Sequence, residues 1–442
     1  MKRRNIILIL VMFPFLAAGI KVHAQGISGN EILVLDTAVS RVLKTHPTIR
    51  EAEEAIRVAD TRIQLARSAY LPVISGNAGY SHIGPVPDIT IPRLGEFKMA
   101  PADNYSATAD LNETIWDFGK TSHNVDIAKA NKELTFQSLE ATRKKLEMMT
   151  ISVYFTLSFL DEAIRIKDEE IRNLNDHLEY ARKKKETGSG TDYDILSTQV
   201  RISAAENQRT DLLAQEQYQN TLLNMLMGQE AGRKNTVSKE ILTPDLSANA
   251  DSLIRFSTDH REEMIMARQS EKIAGLQYDL VKVKENPSLN FFATGGVKDG
   301  YYPDLTSPEL NYATGVSFHI PIFDGYRKKK DLLVARSNIN NSVSETERIR
   351  RQVVSEVMDA FTQSESARQK ISQSTRQVDQ AKMALDLAQT SYKTGSITNL
   401  DLLDSETNLS ESKLSLLKAR VDYTISLYRV KSAIGADLIA KY

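Results

Sequence analysis

Glu186-Thr187-Gly188-Ser189-Gly190-Thr191-Asp192-Tyr193-Asp194-Ile195-Leu196 returns, with changes, as Lys393-Thr394-Gly395-Ser396-Ile397-Thr398-Asn399-Leu400-Asp401-Leu402-Leu403, 207 residues downstream. A self-similar stretch at fixed spacing marks a duplicated structural unit. The same spacing carries Asp117 onto Asp324, Ala128 onto Ala335, Thr191 onto Thr398, Asp194 onto Asp401 and Gly228 onto Gly435 without a gap. Upstream, Tyr70-Leu71-Pro72 takes the place of Glu285-Asn286-Pro287 and the spacing grows to 215. The chain of 442 residues thus reads as two copies of one unit, 25–228 and 251–442, joined by a polar linker over 229–250.

Each copy has the same order of elements. Apolar spacing predicts a first helix over Asp36–Ser68, and over Ser252–Lys284 in the second copy. A strand follows the proline (Val73–His82; Leu289–Lys298), then a loop rich in Pro and Gly, then a second strand (Asn104–Ile115; Asn311–Ile322). A very long helical stretch comes next, Lys120–Lys185 or Lys328–Lys393. After the Gly turn a last helix ends at Gly228 or Gly435, where a helix-terminating Gly is expected.

In Asn311–Pro321, Tyr312, Val316, Phe318 and Ile320 share one face with Thr314, while Asn311, Ala313, Gly315, Ser317 and His319 share the other. Such alternation suits a barrel strand between lipid and water, and equally a half-buried strand of a soluble sheet. Leu157, Ile164, Ile171 and Leu178 repeat at sevens, as do Leu402, Leu409, Leu416, Tyr423 and Val430, the mark of helices packed at coiled-coil angles. A helical run of about 65 residues is roughly 100 Å long, which suits a tube or stalk. Four strands cannot close a barrel, and a membrane barrel must close because lipid satisfies no open edge. Two chains would give eight strands around a filled interior; three give twelve, wide enough for a passage in line with the tube. The fold class expected is an α+β membrane protein, internally duplicated: a long antiparallel, coiled-coil-like tube of helices, with four strands per chain entering a β-barrel that a trimer closes with 12 strands.

Lys2, Arg3 and Arg4 precede an apolar run from Ile6 to Ala18, and Val22-His23-Ala24 ends it with small residues at cleavage spacing. Residues 1–24 read as a secretory signal peptide, since a membrane anchor needs about 20 apolar residues. The chain has no cysteine, hence no disulfide, no thiolate metal centre and no lipid-attachment residue. A net charge of −1 with 26% charged residues argues against a nucleic-acid partner. No second long apolar run is present, which excludes a helical membrane protein but not a β-barrel. The seven histidines are scattered without metal-ligand spacing. Met148-Met149, Met225 with Met227 and Met264 with Met266 suit helix packing better than soft-metal export. With no nucleophile–base pair and no phosphate-cradling loop, no catalytic residue and no cofactor is expected.

Ala66-Arg67-Ser68-Ala69-Tyr70-Leu71-Pro72, Trp116-Asp117-Phe118-Gly119, Pro321-Ile322-Phe323-Asp324-Gly325 and the stretch from Tyr392 to Asp404 occur in this order inside the duplicated frame. In them the chain resembles the TolC-like outer-membrane efflux protein family over essentially its whole mature length. The resemblance implies a homotrimer in the bacterial outer membrane with a large periplasmic portion. It would serve a tripartite efflux pump or type I secretion system as a passive, gated conduit for small molecules or polypeptides. The implied partners are a periplasmic adaptor (membrane fusion protein), an inner-membrane transporter of the RND, ABC or MFS type, and outer-membrane lipid.

The resemblance also places the mechanism. Gly188, Ser189 and Thr191, with Gly395, Ser396 and Thr398, fall at the periplasmic tip, where adaptor hairpins dock and the tube closes. Asp401 and Asp404 match a carboxylate pair lining the narrowest point; six carboxylates there would favour cations and crowd some into holding protons. Tyr392 and Asp194 match positions that help hold the entrance shut. The chain departs from the family at Ile397, where an arginine stands two residues after the Gly, so a salt link is absent there. The residues themselves offer a plainer role for Asp194 and Asp401: Thr191 and Thr398 as helix caps with Asp in the positive first turn. Asp404, one turn beyond Asp401, is not explained by capping. Lys183–Lys185 form a charged face suited to solvent or to adaptor docking, and Arg327–Lys330 a solvated helix start near the membrane interface.

A coiled-coil envelope scaffold or adhesin would account for the sevens, but not for four alternating strands placed alike in both copies. Processing gives the first expected outcome. The mature protein should begin at Gln25 and carry no acyl chain, and intact mass of the membrane-extracted protein checks this; a mass that includes residues 1–24 contradicts it.

Overall fold

The computed structural model describes residues 32–93, 95–238, 249–301 and 304–439. The expected signal peptide and residues 239–248 of the expected linker lie outside them. The elements in chain order are β1 (Ile32–Leu33), α1 (Leu35–Thr45), α2 (Pro47–Ser68), β2 (Val73–His82), β3 (Asp88–Ile91), β4 (Gly95–Lys98), β5 (Asp103–Trp116), α3 (Lys120–Glu186), α4 (Asp192–Met227), β6 (Thr236–Val237), α5 (Ala250–His260), α6 (Glu262–Val283), β7 (Ser288–Lys298), β8 (Glu309–His319), α7 (Arg327–Lys393) and α8 (Asn399–Ala433).

The expected first helix of each copy is two helices. In the first copy Pro47 opens α2 and forces His46 into extended backbone. In the second, Arg261 takes the same conformation without a proline, at the 215 spacing already seen upstream. The reason lies in the last helices. Gly228 and Gly435 turn out of α4 and α8 with positive φ. A Cβ on Gly228 would lie 3.4 Å from the Thr45 hydroxyl, and one on Gly435 2.6 Å from the His260 carbonyl oxygen. Each break therefore packs against a glycine that ends the last helix of its own copy. Around the first break, Val42, Leu157, Leu223 and Met227 are fully buried, and the Tyr154 hydroxyl donates to the Leu33 carbonyl at 2.8 Å while accepting from the Ser238 amide at 3.1 Å. That bond pins the short parallel β1–β6 pair onto α3.

α3 and α7 have 67 residues each, roughly 100 Å at 1.5 Å per residue. Their strand-proximal halves pack in the order α2, α3, α6, α7 and their far halves in the order α4, α3, α8, α7. α4 and α7 are thus the outer members of the wall in its far half, and exposed apolar side chains lie on both, Tyr193, Leu196 and Val200 on α4, Met383 and Leu387 on α7.

The four long strands form one antiparallel sheet in the order β2-β5-β7-β8. Register places Ile74, Tyr80, Leu111, Phe291, Val297, Leu310, Tyr312, Val316 and Phe318 on one face, and Ser75, Asn77, Thr108, Asp110, Asn290, Thr294, Asn311 and Ser317 on the other. Tyr312 is 81% exposed in the single chain, so the apolar face has no partner within the chain and lipid is its counterpart. On the polar face Asp110 accepts from Asn77 at 2.5 Å and Thr108 at 3.2 Å, and also from Thr294, tying three strands together. Tyr80 and Tyr105 pair at one end of the apolar face; Trp116, Phe118, Phe323 and Tyr326 gather at the other. Aromatic rings at both rims are what a bilayer's two interfaces select. The polar residues on the apolar face are Glu113 near the helical end, Thr314, and the His82–Asp103 pair at the opposite end.

β8 ends at His319, short of the expected Ile322, because Pro321 cannot continue the ladder. The first interstrand loop contains the β3–β4 hairpin, which the sequence reading does not anticipate. The Asp117 and Asp324 motifs serve the strand-to-helix corner: Asp117 accepts from the Thr121 amide and Asp324 from the Lys328 amide, each at 2.7 Å. Each thereby satisfies an orphan amide of the first helical turn.

The face assignment has a direct test. Leu111→Arg, at mid-strand on the apolar face, should destabilise the membrane-inserted protein by about 2–4 kcal/mol, whereas Asn112→Arg, its neighbour on the polar face, should be tolerated. Reversible unfolding from vesicles reads both. Equal penalties would contradict the assignment.

Candidate functional site at the helical tip

Both tip turns are built alike. α3 ends with Gly188 at φ 77° and α7 with Gly395 at φ 76°. The Gly188 amide donates to the Lys185 carbonyl at 2.9 Å and the Ser189 amide to the Lys184 carbonyl at 2.9 Å; Gly395 and Ser396 repeat this onto Tyr392 and Ser391 at 3.1 and 2.8 Å. These paired bonds need a left-handed residue, which is why glycine holds the position. The next helix opens in a capping box. Asp194 Oδ2 accepts from the Thr191 amide at 2.9 Å, and the Thr191 hydroxyl accepts from the Asp194 amide at 3.1 Å. Asp401 and Thr398 do the same at 2.9 and 3.3 Å. The Thr398 hydroxyl and amide hold the Asp401 carboxyl below the usual carboxylate range. This cap is therefore complete above the ordinary value near 3.8 and is lost only as pH falls through the lowered one.

Asp404 is exposed and faces back across the chain, forming an ion pair with Arg201 of α4. Arg201 belongs to the other copy, 203 residues away, and no local pattern announces it. Asp401 and Asp404 remain one turn apart on the exposed side of α8.

Tyr392 is buried. Its ring lies 5.3 Å from His177 and 6.1 Å from Tyr180, with the Lys184 ammonium 4.3 Å from its centroid. Burial, and then the nearby Asp194 charge, raise its phenol pKa; among the described residues its hydroxyl makes no hydrogen bond to Asp194. Ile397 packs with Leu385, Ala388, Tyr392 and Leu402. Where the resemblance leads one to expect an arginine, apolar contact and a cation over an aromatic ring join the elements instead. His177, buried, lies 2.5 Å from Asn399 Oδ1, while Asn399 Nδ2 donates to the Asp194 carbonyl at 3.1 Å and to Ser197 Oγ at 3.1 Å. Since that amide nitrogen faces acceptors, its oxygen faces the ring, and His177 donates from Nε2. Burial lowers the His177 pKa, so the neutral ring is the form that fits. Sequence reading missed His177, Asn399 and Arg201. Of the three lysines, Lys183 pairs with Glu179 and Lys185 with Asp192, leaving Lys184 to the rings.

The family model for outer membrane efflux proteins matches residues 38–229 and again 253–436, once per copy. The chain belongs to this family. It is similar to the outer membrane efflux protein BepC of Brucella suis biovar 1, 21% identical with 95% of this chain and 89% of that one covered. It is also similar to the outer membrane protein TolC of Escherichia coli K12, 22% identical with 90% and 82% covered. Among solved structures, the outer membrane protein VceC of Vibrio cholerae superimposes with a TM-score of 0.74 at 20% identity, covering 92% of this chain and 97% of that one. As a member of the outer membrane efflux family, the chain is a subunit of a trimeric outer-membrane channel for export, with a periplasmic helical portion, and it is not an enzyme. The sheet with two unpaired edges and the wall with two unpaired helices are the parts such a trimer closes.

The caps give a prediction independent of the channel. Thr191→Ala and Thr398→Ala should each cost about 1 kcal/mol, read as faster amide exchange in the first turns of α4 and α8. Unchanged protection there would show that the boxes contribute nothing.

Proposed function

We propose that the tip is the gated entrance of the channel and the place where the rest of the export machine docks. The observation that carries this reading is Asp401 with Asp404 on the exposed side of α8, beside a turn whose partner helices lie at the edge of the wall. Three copies set side by side by their α4 and α7 edges bring three such pairs together. Arg201 tempers their charge, so the constriction is less acidic than six bare carboxylates. Tyr392, with His177 and Lys184, holds the two hairpins of a subunit together in the closed entrance, and Asp194 contributes through its cap.

The exposed turns at Gly188, Ser189 and Thr191 and at Gly395, Ser396 and Thr398 are the docking positions for a periplasmic adaptor. That adaptor links the channel to an inner-membrane transporter of the RND, ABC or MFS type. Relatives bear names as different as alkaline protease secretion protein and cation efflux system protein, so the cargo class is set by the partner pump and spans small molecules and polypeptides.

Single-channel recording in planar bilayers tests the constriction. Asp404→Ala should lower cation preference and weaken block by polyvalent cations, and Arg201→Ala should raise both. A purely structural tip predicts no change in selectivity for either variant. Unchanged selectivity and block in Asp404→Ala would overturn the assignment.

A further inference from the structure

The α3–α8 seam, where the two hairpins of one subunit meet, is polar inside. Lys167 and Glu170 are both buried and paired at 2.7 Å, and Ser410 of α8 donates to Glu170. One helical turn away Lys413 of α8 pairs with Glu169 at 2.9 Å. The third carboxyl in the group, Glu406 of α8, has no cation left to it. Its Oε2 is buried without a hydrogen-bond partner. It lines a cavity of about 20 Å³ with Glu169, Glu170, Asn173, Ser410 and Lys413. That volume admits about one water and no side chain.

On its other side Glu406 borders a second hollow, of about 290 Å³, faced by Asp176, His177 and Tyr180 of α3 and by Tyr392 and Lys393 of α7. Three carboxyls therefore share two matched lysines, and a further buried negative charge beside Glu170 is costly.

We infer that Glu406 is a proton-binding site that holds α8 against α3 in its neutral form and lets the two hairpins part when it ionises. Burial first, and then the Glu170 charge, push its carboxyl up to about 7, within reach of ordinary periplasmic conditions. For a carboxyl raised in the closed form, closure is fully supported below the ordinary value of 4.5 and loses that support as pH rises to about 7. His177 opposes it. Its lowered pKa means that closure is weakened as pH falls below 6.5. The joint is therefore tightest at intermediate pH, and Glu406 sets the alkaline limb. The inference rests on the proposed gate only for its effect on current, not for the movement of the seam.

Two readouts on the full-length trimer separate these. The chain has no cysteine, so spin labels at Asn175→Cys and Asn408→Cys, both exposed, report the α3–α8 distance against pH; conductance is recorded in parallel. Glu406→Gln replaces the carboxyl with a neutral amide of the same shape, and Glu406→Met fills the same space without charge. The expected result is that the open-to-closed ratio of the natural protein, divided by that of either variant, rises between pH 5 and 7.5 by at most about tenfold per pH unit, the limit for one proton. A seam that opens toward alkaline pH in the natural protein but not in the variants, while the acid limb set by His177 persists in all three and conductance stays flat, supports the proton site and removes the gate from the tip. The same pH profile in the natural protein and both variants overturns the inference.

Discussion

Backbone amides and carbonyls at the edge of a sheet have nothing to bond in lipid, and this chain has two such edges, β2 and β8. Their direction is decisive. With four antiparallel strands, β2 and β8 run opposite ways, so β8 of one copy meets β2 of the next in the same antiparallel sense. Closure repeats without a misfit until the ring is complete. The helical wall obeys the same demand through apolar surface, since α4 and α7 leave Tyr193, Leu196, Met383 and Leu387 uncovered at its two margins. Sheet and wall are each incomplete, and the same neighbours complete both.

Within a subunit the two copies agree where the backbone must turn and differ where they touch. Gly188 and Gly395, Thr191 and Thr398, and Asp194 and Asp401 are matched pairs because each hairpin needs its own stop and start. His177 corresponds to Ala384, Glu406 to Gln199 and Asp404 to Ser197. His177 and Glu406 lie on the α3–α8 seam, which only one helix of each copy enters, and Asp404 faces Arg201 of α4, so nothing requires their counterparts to be alike. A seam built from Lys167, Glu170, Ser410, Glu406, His177 and Asn399 is less cohesive than an apolar one of equal size. That suits the opening proposed for this seam.

How much of this could be read from the chain follows from the range of each interaction. Strands β5, β7 and β8, the long helices and the capping boxes are local patterns, legible in alternation, in sevens and in Thr-x-x-Asp. The break at His46 has a proline to announce it. The break at Arg261 has none, because its cause is Gly435, far along the chain. The β3–β4 hairpin was hidden in a loop whose Pro and Gly content said only that the chain turns. Arg201 with Asp404 and His177 with Asn399 join residues more than two hundred positions apart, and a single sequence holds no trace of such pairs. The resemblance pointed to the tip; the contacts that replace the missing arginine at Ile397 became visible only when the helices were side by side.

The spacing between the copies falls from 215 before the strands to 207 after them, and the extra residues of the first copy are those that carry β3 and β4. Everything below the rim is supplied nearly twice over by each subunit, so a trimer presents a tube of close to sixfold rotational order. At the outer mouth the order drops to threefold, because long loops over 83–102 alternate with short ones over 299–308. Whatever approaches from outside the cell meets three hairpins and three gaps, while whatever approaches from within meets six turns of nearly the same shape.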